Sequence, residues 1–142
     1  MIRDLTRPEI ETPEFWRLLR LAAEVDEVGL LAIRDRELPR LTVVGALAGD
    51  VVVGFAAYAV EADGPVGLEY IATAESQRGR GLGTSLVREL RRRHPEADLR
   101  AQTDDDAIAF YRRIGFTDAP APPDPRWPDR PRYDCVLPAG LR

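Results

Sequence analysis

Apolar residues recur at helical spacing across residues 12–24, where Phe15, Leu18, Leu19, Ala22 and Ala23 form one stripe. Thr12 stands ahead of it as an N-cap, Pro13 suits the first helical position, and Glu14 complements the positive end of the helix dipole. A second, shorter helix is predicted over residues 26–37, stopping before Pro39. The period then changes. Residues 41–47 and 51–60 are β-rich runs parted by Ala48-Gly49-Asp50, a hairpin signal. A polar turn at 61–64, with Pro65 behind it, leads to a third strand ending at Thr73, so three antiparallel strands come in succession.

That third strand runs through Leu68, Glu69, Tyr70 and Ile71 into Arg78-Gly79-Arg80-Gly81-Leu82-Gly83-Thr84. The loop opens a helix with Leu82, Leu86, Val87 and Leu90 at helical spacing. Unpaired N–H groups at a helix start point at an anion, and glycines let the main chain approach it. Two arginines add positive charge where a phosphate would sit. The chemistry is that of a pyrophosphate cradle, set against the plainer reading of a glycine-softened helix start with no ligand. A P-loop is excluded because the chain has no Lys. The dinucleotide fingerprint fails because Thr84 stands where its third glycine belongs.

Beyond the helix, Arg91, Arg92, Arg93 and His94 fill a last turn in which positive charge suits the dipole, and Pro95 enforces the stop. His94, the only histidine, reads as a solvent-facing helix end and not as a catalytic group. Residues 99–103 form a short strand parallel to the one before the loop, closing a βαβ unit. Asp104, Asp105 and Asp106 start another helix, with Ala107, Ile108, Tyr111 and Ile114 along it and Gly115 as its C′ residue. Phe116 and Thr117 begin a further strand. The stretch 119–131 is a Pro-rich irregular loop containing Trp127, and residues 133–137 return as a last strand.

Length and composition narrow the class. At 142 residues the chain is one domain, 1–142. A net charge of −4 argues against a nucleic-acid partner, and no apolar run approaches the length of a membrane span. Cys135 is the only cysteine, so a reducing, cytoplasmic setting is expected. Acidic residues Asp26, Glu27, Asp35 and Glu37 read as a solvated face, with attraction of a cationic substrate as the alternative.

Arg78, Gly81 and Gly83, in the order R-x-x-G-x-G, resemble the acyl-CoA loop of the GNAT superfamily of N-acetyltransferases. The stretch carrying Asp104, Ala107-Ile108, Phe110-Tyr111 and Gly115-Phe116 is similar to the same family's N-x-x-A-I-x-F-Y-x-x-x-G-F pattern. Asp104 departs from the Asn that many members carry, and a carboxylate cannot donate a hydrogen bond there. The match covers residues 41–118. It implies an α/β (α+β) fold: a mixed, mostly antiparallel sheet of about six to seven strands with a splayed parallel pair, flanked by about four helices.

The resemblance further implies acetyl-CoA as cosubstrate, no metal, an amine acceptor as partner and a homodimer through the final strands. Ile71, Ala72 and Thr73 would pair with the pantetheine arm as an added strand. The amides of Gly79, Arg80, Gly81, Leu82, Gly83 and Thr84, with the Arg78 side chain, would hold the pyrophosphate, and Asp104 stands at the cofactor-arm position. Tyr111 matches the family's proton donor to the leaving thiolate. Its plainer reading is packing beside Phe110. The family does not fix a base for the incoming ammonium. Glu69, which shares side-chain parity with Ile71, is a candidate acting directly or through water, with a binding or solvent-facing role as the alternative, while Tyr70 faces the other way, into the core. The implied activity is acetyl transfer to a primary amine, with a non-catalytic acyl-CoA sensor as the alternative. The acceptor pocket is expected from residues 20–40 and 118–132, with the Trp127 loop as a lid.

Overall fold

The computed structural model describes residues 1–140. Its contacts divide into two units, Met1–Ala59 with Glu69–Leu90, and Val60–Leu68 with the chain from Arg91 onward.

The first unit opens with β1 (Ile2–Asp4) and α1 (Arg7–Ile10). Neither has a periodic signature, but Thr6 and Glu9 form a capping box that starts α1. Helix α2 (Pro13–Ala23) follows its predicted limits, with the Thr12 hydroxyl accepting from Phe15 N–H at 3.2 Å. The second predicted helix is a composite: α3 (Glu27–Ala32) capped by Asp26, a π-helical turn Ile33–Glu37, and a 3₁₀ turn Leu38–Arg40 that contains Pro39. Proline is tolerated there because it sits in the first turn, where its missing N–H leaves no bond unmade.

Strands β2 (Thr42–Ala48) and β3 (Val51–Val60) form the predicted antiparallel hairpin. Gly49 turns it with φ +60°, a left-handed conformation that suits glycine. Both strands are buried along most of their length, so they read as continuous apolar runs and not as strict alternations. The core joins Phe15, Leu18, Leu19 and Ala23 of α2 to Leu30, Ile33, Val43, Val52, Phe55, Ala57 and Tyr70. Phe15 and Phe55 are fully buried, with ring centroids 4.7 Å apart.

Strand β4 (Val66–Thr73) and helix α4 (Leu82–Arg93) each pass from one unit to the other. In the second unit, β5 (Leu99–Asp104) runs parallel to β4, as predicted, through Val66–Leu99, Gly67–Arg100 and Leu68–Ala101. The helix expected from Asp104 starts later: β5 extends through Asp104, a turn follows, and α5 spans Ile108–Arg113. Asp104 caps that turn, its Oδ1 accepting from the N–H groups of Asp106 (3.0 Å) and Ala107 (3.2 Å). Backbone pairing of Asp104 with Arg132 holds it in the sheet and delays the helix.

Helix α5 ends in a Schellman motif. Phe116 N–H donates to Tyr111 O and Gly115 N–H to Arg112 O, with Gly115 at φ +105°. Strands β6 (Thr117–Ala121) and β7 (Arg132–Leu137) form a hairpin. Pro120 lies inside β6, not in the loop as the sequence suggested; β6 is outermost in the sheet, and an edge tolerates a residue without an N–H.

The seven strands are ordered β1-β2-β3-β4-β5-β7-β6, a mixed sheet whose parallel pair is β4–β5. Five α-helices accompany it among the described residues, one more than expected because of α1. No helix among them is long and apolar enough to cross a membrane.

Candidate functional site

The β4 residues that pair with β5 are Val66, Gly67 and Leu68, and the stretch 69–73 that follows them belongs to the first unit. On the β3 side the bonding continues as far as Ala74 N–H to Val53 O at 2.8 Å. Glu69 is exposed and Tyr70 is buried, which is the alternation expected of a strand. Ile71, Ala72 and Thr73 are half-buried.

A 3₁₀ turn (Glu75–Gln77) leads from β4 into the loop. Arg78, Gly79, Arg80 and Gly81 are all exposed. Gly79 (φ +79°) and Gly81 (φ +75°) occupy the left-handed region, and a Cβ at either position would meet nothing within 4 Å. The glycines therefore answer to backbone conformation and open approach, not to crowding by the protein itself. Ser85 N–H makes the first helical bond, to Gly81 O. The amides of Leu82, Gly83 and Thr84 ahead of it have no place in the intrahelical ladder and carry the positive end of the α4 dipole. An exposed main chain with two guanidiniums and a helix start suits a multiply charged phosphate.

In the second unit, Tyr111 is 5% exposed and makes edge-on contacts with Phe110 (centroids 5.1 Å) and Phe116 (5.2 Å). Burial raises its pKa above the ordinary phenol value, with Cys135 and Asp104 adding to the shift and Arg132 opposing it. Asp104 Oδ1 is engaged in its own turn, while Oδ2 lies 3.7 Å from Arg130 of the Pro-rich loop. Trp127 in that loop is flanked by the guanidiniums of Arg126 (4.5 Å) and Arg132 (5.3 Å).

The sequence profile of the Acetyltransferase (GNAT) family matches residues 5–116. The chain belongs to that acetyltransferase family. The fold agrees with solved structures at low sequence identity. One, provisionally assigned to the GNAT acetyltransferases, is from Desulfovibrio desulfuricans (TM-score 0.78, 21% identity, 97% of this chain and 98% of that one). Another is the ribosomal-protein-S18-alanine N-acetyltransferase of Escherichia coli (0.74, 20%, 100% and 95%). A third is a GNAT family acetyltransferase of Elizabethkingia anophelis with acetyl-CoA bound (0.69, 17%, 96% and 95%). No curated protein matches the chain in sequence.

Two further groups were not singled out from the GNAT sequence pattern. Arg91 is not a solvated helix-end charge: it is 9% exposed, and His94 lies just beyond the end of α4. Glu37, at the end of the π turn, accepts a hydrogen bond from the Tyr70 hydroxyl at 2.6 Å. The sequence offers Glu37 only together with Asp26, Glu27 and Asp35, as a solvated face or an attraction for a cationic substrate, and no local signal pairs residues 33 positions apart.

Proposed function

We propose that this chain transfers an acetyl group from acetyl-CoA to a primary amine of a small molecule, peptide or protein. The amine attacks the thioester directly, through a tetrahedral intermediate. The observation that carries this reading is the exposed loop 78–81, with left-handed Gly79 and Gly81, leading into the start of α4 at Leu82. Membership of an acetyltransferase family supports it, as does a similar fold in a protein with acetyl-CoA bound.

On this reading the loop amides and Arg78 take the pyrophosphate, with Arg80 as a second, more freely placed charge. The edge of β4 at Ile71, Ala72 and Thr73 bonds the pantetheine amides as an added strand, and one N–H there polarises the thioester carbonyl. Asp104 contributes to the cofactor arm only as an acceptor, since its carboxylate already caps a turn. Glu69, exposed on β4, takes the proton of the incoming ammonium directly or through water.

Tyr111 protonates the departing thiolate. The phenol is protonated at neutral pH, as an acid requires, and burial raises its pKa further above the ordinary phenol value. We assign the reaction to the cytoplasm, on the strength of a single, unpaired cysteine.

The packing of Tyr111 on Phe110 and Phe116 favours the rival reading, a non-catalytic acyl-CoA sensor. Turnover of acetyl-CoA across an amine panel, read as released thiol, separates the two. Tyr111→Phe keeps the packing and removes the proton; kcat falling by about ten-fold or more supports the acid. Unchanged turnover removes Tyr111 from the chemistry, and no turnover by the unaltered protein with CoA still bound favours the sensor.

A further inference from the structure

The π turn at Ile33–Glu37 is the least ordinary backbone in the first unit. Such turns are rare, and each inserts an extra residue that rotates all that follows by about 100° around the helix axis. Its last residue is Glu37, and the Glu37 carboxylate reaches Tyr70 on β4. Tyr70 is 5% exposed and belongs to the core, so its hydroxyl is a fixed donor. It orients Glu37 Oε1 at 2.6 Å.

The other oxygen, Oε2, has no partner among the described residues, although Glu37 is half-buried. Three arginines lie near it in sequence, and none of them forms an ion pair with it among the described residues: Arg34 is engaged by Asp35 at 2.8 Å and lies over the Trp16 ring, and Arg36 and Arg40 make no ion pair with Glu37. A carboxylate held by one internal donor, with its second oxygen turned outward, is complementary to an ammonium. Tyr70 immediately precedes Ile71, the start of the edge assigned above to the thioester arm.

We propose that Glu37 is a specificity-determining residue that binds a second cationic group on the acceptor. Tyr70 acts as its positioning residue. The reacting amine lies at the β4 main chain, and Glu37 stands off that strand by the length of a tyrosine side chain. The acceptor is therefore a dication or polycation, with its two nitrogens separated by a comparable span. This rests on the acetyl-transfer reading, and it names the acceptor class for that reaction.

The test has two arms. In the first, cadaverine and spermidine are titrated calorimetrically into the protein without acetyl-CoA, with n-pentylamine as the monocation. The unaltered protein binds the dications more tightly, and Glu37→Gln weakens them by about ten-fold or more while keeping an oxygen for Tyr70. In the second, kcat and KM are measured for the same amines with acetyl-CoA. Glu37→Gln raises the KM of the dications with little change in their kcat, and Tyr70→Phe gives a smaller rise of the same kind. Glu27→Gln, at an exposed carboxylate paired with Arg20, leaves the dication preference in place. Equal affinity for monocation and dication, or a preference that survives Glu37→Gln in a protein of unchanged melting temperature, overturns the proposal. Dication binding that depends on Glu37 without any acetyl transfer would sustain this site and sink the enzymatic reading instead.

Discussion

Replacing Arg91 by Met keeps most of the aliphatic stem and removes the guanidinium. Nη1 donates to the carbonyls of Ala97 (2.6 Å), His94 (3.3 Å) and Pro95 (3.4 Å), and Nη2 to those of Leu137 (3.0 Å) and Pro138 (2.8 Å). One side chain thus ties the segment after α4 to the end of β7. Nε is buried without a partner, and burial lowers the pKa of the group, Asp98 opposing the shift, yet an arginine stays charged. Three of these bonds are short, and bonds from a charged donor contribute about 1.5–3 kcal/mol each. Against that stands the desolvation of the cation, several kcal/mol, and most of the orphaned carbonyls are near enough to the surface to regain water. The net loss expected for Arg91→Met is about 3 kcal/mol, dominated by the buried Leu137 carbonyl. Urea unfolding measures it directly, and in a chain of this size the melting temperature falls by roughly 10 °C. Arg91→Lys recovers only part, because an ammonium cannot span both sets of carbonyls. A Met variant within about 1 kcal/mol of the parent would refute the reasoning, since desolvation would then cancel the bonds.

Gly81→Val forces a β-branched residue to φ +75° where nothing crowds a Cβ. Stability falls by about 1–2 kcal/mol from backbone strain, and calorimetry shows a much larger proportional loss of affinity for coenzyme A. Retained affinity would discount the loop as the phosphate cradle. Glu9 bonds the Arg3 side chain, and then Thr6 N–H, which lowers its pKa from 4.5 to about 2. A depressed carboxylate stabilises the fold above its unfolded pKa and ceases to do so as pH falls through the folded one. Glu9→Gln therefore melts below the parent at neutral pH, and the gap closes between about pH 4.5 and 2 in a melting series. A gap independent of pH would place its origin elsewhere.

The features legible in the sequence are those whose causes lie within a few residues. Thr12 and Pro13 start α2 by local capping, Gly49 turns the β2–β3 hairpin, and Gly115 ends α5 in the left-handed conformation. The two motifs that mark the acetyltransferase family are equally local, since a glycine-bearing helix start and a helix ended by Gly115 are short-range objects. The elements missed were β1 and α1, of three and four residues, too short for any period to show. Tertiary structure decided the rest by competition. Pairing of Asp104 with Arg132 in the sheet prevailed over the helix start that three aspartates favour. An arginine that suits a helix end became a buried clamp, because the fold brings carbonyls 46 and 47 residues away within reach of its guanidinium. Glu37 acquired its orientation from a tyrosine 33 residues off. Local propensities are worth tenths of a kcal/mol to about one, whereas a buried polar group left unpaired costs several times that, so nonlocal partners settle where charges end up.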